Sequence, residues 1–108
     1  MQQDMHEYIR EAQKARDALK RLQNNDDYKF VIEDGYFGKY KEGALKALAY
    51  TASKEQQEFI TSKIQGLAYL KAFLDNIIRE GERADYIETH PESADEEVSE
   101  YWHLQMNN

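Results

Sequence analysis

About 36 residues, from Glu55 to His90, run without a proline and carry apolar side chains at helical spacing. Ile60, Ile64, Leu67, Leu70, Phe73, Leu74, Ile77, Ile78, Ala84 and Ile87 follow one another mostly by steps of three and four. That spacing gathers them on one face of an α-helix and leaves little room for any other fold class. Ser53 followed three residues later by Gln56 forms a capping box, which opens the helix at Lys54. Pro91 disfavours helical backbone at His90 and closes it. At ~1.5 Å per residue the helix would reach ~50 Å, more than two shorter partners cover completely. Gly81 offers a break point, with one helix to Glu80 and a short one after it.

Two shorter helices are expected before it. From about Asp4 to Gln23, the residues Met5, Tyr8, Ile9, Ala12, Ala15, Ala18, Leu19 and Leu22 make one apolar stripe. Asp4 and Glu7 resemble a capping box, and Lys20 and Arg21 suit the negative end of the helix. Asn24-Asn25 ends this helix and caps the next, whose first turn holds Asp26 and Asp27. Tyr28 to Tyr50 is locally ambiguous, because its β-branched and aromatic start also suits a strand turning at Asp34-Gly35. Helix is the reading adopted, since no partner strand exists elsewhere to satisfy the backbone. Tyr28, Val31, Ile32, Gly35 and Phe37 then share a side, and Leu45, Leu48 and Ala49 face inward. Gly35, Gly38 and Gly43 each cost ~1 kcal/mol relative to Ala, so a kink or break is expected between Asp34 and Lys39. The expected fold is all-α, a helical hairpin or three-helix arrangement with one long C-terminal helix. Residues 1–91 form the helical domain, and residues 92–108 form an acidic, aromatic-ended tail, mobile or docking.

Composition removes several classes of chemistry. The 108 residues include no cysteine, which excludes disulfide frameworks, Cys-ligated metal and thiol catalysis. The longest apolar runs are a few residues, against the ~20 needed to span a bilayer. MQQDMHEYIR holds no apolar segment, so a soluble intracellular chain without a secretory signal is expected. His6, His90 and His103 form no pair at helical ligand spacing, and Glu100 with His103 supplies only one Glu-x-x-His. Glu33-Asp34 and Asp26-Asp27 are explained by capping and solvation. Gly35-Tyr36-Phe37-Gly38 lacks the pattern of a phosphate-binding loop. No enzyme activity, metal or cofactor is expected.

The net charge of −7 is unevenly spread. Residues 1–54 carry ten Lys/Arg and nine Asp/Glu, whereas residues 55–108 carry four and twelve. Lys39, Lys41 and Lys46 are interleaved with acids, and the overall acidity opposes direct nucleic-acid binding. The acidic half permits the reverse, mimicry of phosphates before a DNA-binding partner. Eight Tyr, four Phe and one Trp are many for a small polar chain. Phe30, Phe37, Phe59 and Phe73 are assigned to the core. The surplus tyrosines and Trp102 suit a protein interface, where they bury area at little entropic cost. Tyr36 and Phe37, at the expected bend, and Tyr101 and Trp102, in the tail, are the candidate partner-binding residues.

Two stretches resemble a group of small helical tailed-bacteriophage proteins. NNDDYKFVIEDGYF, residues 24–37, is similar to a pattern of Asn or Asp, an aromatic, Lys, an apolar pair, an acid and Gly-Tyr-Phe. IQGLAYLKAFLDNIIREGERA, residues 64–84, is similar to the later helix of that group. The resemblance covers roughly residues 5–87 and leaves out the tail. It implies a phage-encoded product of the kind found among head and tail morphogenesis genes, with no enzymatic motif to carry over. A non-enzymatic structural or assembly protein is therefore expected, in the virion or host cytoplasm, binding other phage structural proteins or itself. The alternative is a small acidic inhibitor or nucleic-acid mimic directed at a host defence or nucleic-acid enzyme.

Overall fold

A computed structural model of the chain describes residues 3–93. Among these the chain is all-α and contains no strand. Helix α1 spans Gln3–Gln23. Asn25 then caps the next helix, its side-chain Oδ1 accepting a hydrogen bond from the Tyr28 N–H at 2.9 Å. A single turn, α2 (Asp26–Tyr28), leads into a π-helical segment (Lys29–Tyr40) and then α3 (Lys41–Tyr50). Residues 51–53 turn the chain, and α4 runs unbroken over Lys54–Thr89. Ser53 Oγ accepts from the Gln56 N–H at 3.3 Å, which is half of the expected capping box. A short 3-10 turn, Pro91–Ser93, follows the proline stop.

The expected break between Asp34 and Lys39 does not occur. Tyr28, Lys29, Tyr40 and Lys41 all keep right-handed helical dihedrals, so α2, the π segment and α3 form one continuous helix. No residue there has positive φ. The glycines sit inside the wider turns. A Cβ on Gly35 would lie 3.2 Å from the Phe30 carbonyl oxygen, five residues back, and one on Gly38 would lie 3.4 Å from that of Glu33. Such i→i+5 turns are rare and frequent at functional sites.

The chain divides into two compact units. The first joins α1 up to Leu19 with α4 from Asn76 onward. Met5, Ile9, Ala84 and Ile87 form its buried core, with Tyr8 and Ala12 packed against it. Gly81 does not interrupt α4; it is buried against α1. A Cβ there would stand 2.5 Å from the Arg16 Cβ and 2.6 Å from its Cδ, so glycine permits the close approach. Arg16 exploits that proximity. Its guanidinium donates to the Gly81 carbonyl at 3.0 Å and pairs with Asp85 and with Asp17. The hydrogen bonds to Asp85 and then Asp17 hold the guanidinium above its ordinary pKa. Tyr8 Oη donates to Glu80 at 2.6 Å, and Gln13 Nε2 donates to Asp85 at 3.0 Å.

The second unit, Lys20–Asp75, is a helical hairpin. Lys39 to Ala47 lie beside Ile60 and Lys63, and Tyr28 to Phe37 lie beside Lys71 to Asp75, so the two arms run antiparallel. Its interior is thin. None of α2, the π segment or α3 contains a buried residue, and Leu67 is the buried apolar side chain on α4 in this unit. Leu48 is half-buried, but Leu45 and Ala49 face solvent, contrary to the sequence expectation.

Candidate partner-binding surface

Several aromatic residues of the second unit are not used by its own packing. Three of the four phenylalanines assigned to the core lie outside it. Phe30 is 67% exposed, Phe59 63% and Phe73 61%. Val31, expected on the inner side with Ile32, is also exposed. The π segment explains that displacement. In an α-helix residues i and i+3 share a face, which would place Val31 above Tyr28. An i→i+5 turn holds more residues, so the inward set becomes Tyr28, Ile32, Tyr36 and Phe37.

Tyr36 and Phe37 are thus half-buried, within a continuous helix and not at a bend. Their ring centroids lie 5.3 Å apart at 58°, and Tyr36 stacks on Tyr40 at 5.5 Å and 30°. Phe37 lines a cleft of about 290 Å³ with Tyr28, Glu33, Lys71, Leu74 and Asp75. Burial raises the pKa of the Tyr28 phenol, and the charge of Glu33 adds to the rise. Tyr40 lines a second cleft of about 280 Å³ with Gly43, Ala44, Ala47, Ile60 and Lys63. The structure therefore brings Tyr36 and Phe37 together as packing residues of the hairpin. Tyr101 and Trp102 lie outside the described residues.

The outer face of α4 carries what the sequence reading missed. Phe59, Ser62, Gly66, Tyr69 and Phe73 are spaced 3, 4, 3 and 4 residues apart, the heptad spacing of a coiled-coil seam. Tyr69 is 73% exposed, more than either phenylalanine beside it. The Lys63 ammonium stands 4.5 Å from the Phe59 ring centroid, and Lys63 also lines the second cleft, so the Phe59 end of the seam borders that cleft. The signal was present in the sequence. It was obscured because Phe73 also continues the inward series Leu67, Leu70, Leu74, so that it and Phe59 were both assigned to the core.

The rest of the described surface offers little chemistry. Among the described residues no group of three or more His, Asp or Glu side chains is arranged to hold a metal ion. His90 stacks on Tyr86, with centroids 4.1 Å apart at 12°. No described helix is long and apolar enough to cross a membrane. No family model, curated protein or solved structure matches the chain.

Proposed function

We propose that this chain is a non-enzymatic protein that works through protein–protein contacts, as a structural or assembly component of a bacteriophage. The observation that supports contact-driven function is the inverted burial of the second unit. Phe30, Phe59, Tyr69 and Phe73 are more than 60% exposed, while Leu67 alone among its large side chains is buried. Large apolar side chains left exposed in such number support an interaction site on a folded protein. The phage assignment rests on the resemblance of residues 24–37 and 64–84. Mass spectrometry of purified particles and assembly intermediates, from an infection that expresses the chain, tests it. The chain is expected in one or both, and its absence from both sinks the assembly role.

A second reading, an acidic inhibitor or nucleic-acid mimic, draws on the charge of the first unit. Outside Lys20–Asp75 the chain holds thirteen Asp/Glu against five Lys/Arg. Glu80, Asp85 and Glu88 are engaged by Tyr8, Gln13 and Arg16, whereas Asp4, Glu7, Glu11, Glu82 and Glu92 are exposed. Neutralising Glu92, Asp95, Glu96, Glu97 and Glu100 together should abolish binding to a basic partner, and unchanged affinity at low salt rejects the mimic.

A further inference from the structure

We infer that the cleft lined by Tyr28, Glu33 and Phe37 is a receptor for a guanidinium group, occupied by an arginine side chain that a partner protein supplies. The inference rests on the contact-driven reading above and names the chemistry of the partner. Three observations converge on it.

The first is the backbone register. Tyr28, Glu33 and Phe37 line the cleft from one continuous helix. Glu33 lies five residues beyond Tyr28. In an α-helix that interval leaves two side chains roughly 140° apart. The wider i→i+5 turns of Lys29–Tyr40 bring such residues round to one side. The π segment thus assembles a face that an α-helix would disperse. It buries no residue in doing so, so core packing does not account for it, and wide turns of this kind are frequent at functional sites.

The second is the lining. Phe37, Leu74 and the Tyr28 ring are half-buried and form the apolar wall. Glu33, Gln23 and the Tyr28 phenol each offer an oxygen acceptor, and none has a side-chain hydrogen-bond or ion-pair partner among the described residues. Burial, and then the charge of Glu33, raise the pKa of the phenol, which marks it as partly shielded from water. Acceptors converging beside an apolar wall call for a ligand that is flat and rich in donors. A guanidinium carries five N–H donors in one plane and stacks on aromatic rings, whereas an ammonium is a compact, strongly hydrated point charge. The volume, about 290 Å³, falls at the bottom of the range of roughly 300–1,000 Å³ for small-molecule sites, and suits one side chain.

The third is charge. Lys71 and Asp75 pair at 3.2 Å on the α4 wall, so Glu33 leaves the cleft one negative charge for one cation. The second cleft of the hairpin has the opposite character, lined by Lys39 and Lys63 and by no acid. Residues 20–75 as a whole carry nine Lys/Arg against eight Asp/Glu. Attraction for a cation is therefore a property of the first cleft and not of its surroundings.

NMR of the isotope-labelled full chain, titrated with a capped glycine–arginine–glycine tripeptide, tests the site. Shifts should cluster at the residues lining the cleft. The lysine counterpart should bind at least threefold more weakly, as should methylguanidinium, which lacks the stem that covers Phe37 and Leu74. Glu33→Gln should weaken the arginine tripeptide roughly fivefold, and Lys71→Met, which frees Asp75, should tighten it. Glu58→Gln, at an exposed acid outside the cleft, should change nothing. Circular dichroism checks that each variant keeps its helical content. The absence of cleft-localised shifts overturns the inference. So does equal affinity for the lysine tripeptide, or a loss in Glu58→Gln as large as in Glu33→Gln. Methylguanidinium binding as tightly as the tripeptide makes the site a receptor for a free ion and rejects the side chain. A Glu33→Gln chain that enters particles and intermediates as fully as the wild type rejects the partner's arginine, while the assembly reading stands. A wild type that binds the arginine tripeptide through Glu33 but is missing from particles and intermediates gives the converse.

Discussion

Arg16 and Gly81 show how little room the first unit leaves. A Cβ added at Gly81 would collide with the Arg16 Cβ, at 2.5 Å, as well as with atoms further along the side chain, and a Cβ cannot swing aside. Gly81→Ala should therefore destabilise the protein by about 1–3 kcal/mol, the usual cost of overpacking, as measured by urea unfolding. This outweighs the gain in helix propensity from removing a glycine. Tyr28 adds a dependence on pH. Its phenol is neutral when protonated, and burial raises its pKa above the ordinary value of about 10 in the folded chain. The stability it contributes is complete below about pH 10 and is lost as pH rises through the raised value. Tyr28→Phe should show a smaller loss of stability above about pH 10 than the wild type, read from denaturation midpoints on either side of it.

At the scale of elements, helix ends and the apolar stripes of α1 and α4 were largely legible, and the face of the π segment was not. Asn25 and Ser53 act through hydrogen bonds to backbone three residues away, so their positions in the sequence are enough to locate the starts of α2 and α4. The π segment is different. Its i→i+5 register depends on how twelve residues share their backbone bonds, and no side chain announces it. Assuming an α-helical period there sent Val31 inward, and the expected break at Gly35 and Gly38 was absorbed as wider turns. The glycines provide a contrast to measure. Gly43 lies in α3, and a Cβ there meets nothing within 4 Å. Gly43→Ala should raise stability by about 1 kcal/mol in the monomer. Gly35→Ala must displace the Phe30 carbonyl, 3.2 Å away, and should fall short of that gain in the same urea titration.

For the whole molecule, the two units differ in what holds each together. The first unit has a buried core of Met5, Ile9, Ala84 and Ile87, with Leu19 also buried. The second has a hairpin backbone and half-buried contacts around Leu67. Hydrogen exchange of the dilute chain should show amides in residues 29–50 exchanging roughly tenfold or more faster than those around Ile9 to Leu19, since protection follows buried contact. Equal protection in dilute solution would contradict so thin an interior. The sequence by itself determined the all-α class, the caps, the proline stop and the concentration of acidity in residues 55–108. Each of these depends on neighbouring residues or on a sum over residues. Only the tertiary structure decided which apolar side chains found partners. An aromatic at helical spacing looks the same in sequence whether it faces its own hairpin or open solvent. Phe59 and Phe73 passed for core until the expected stripe of α4 was seen to turn inward without them, and Gly81 passed for a helix breaker until α1 was seen against it.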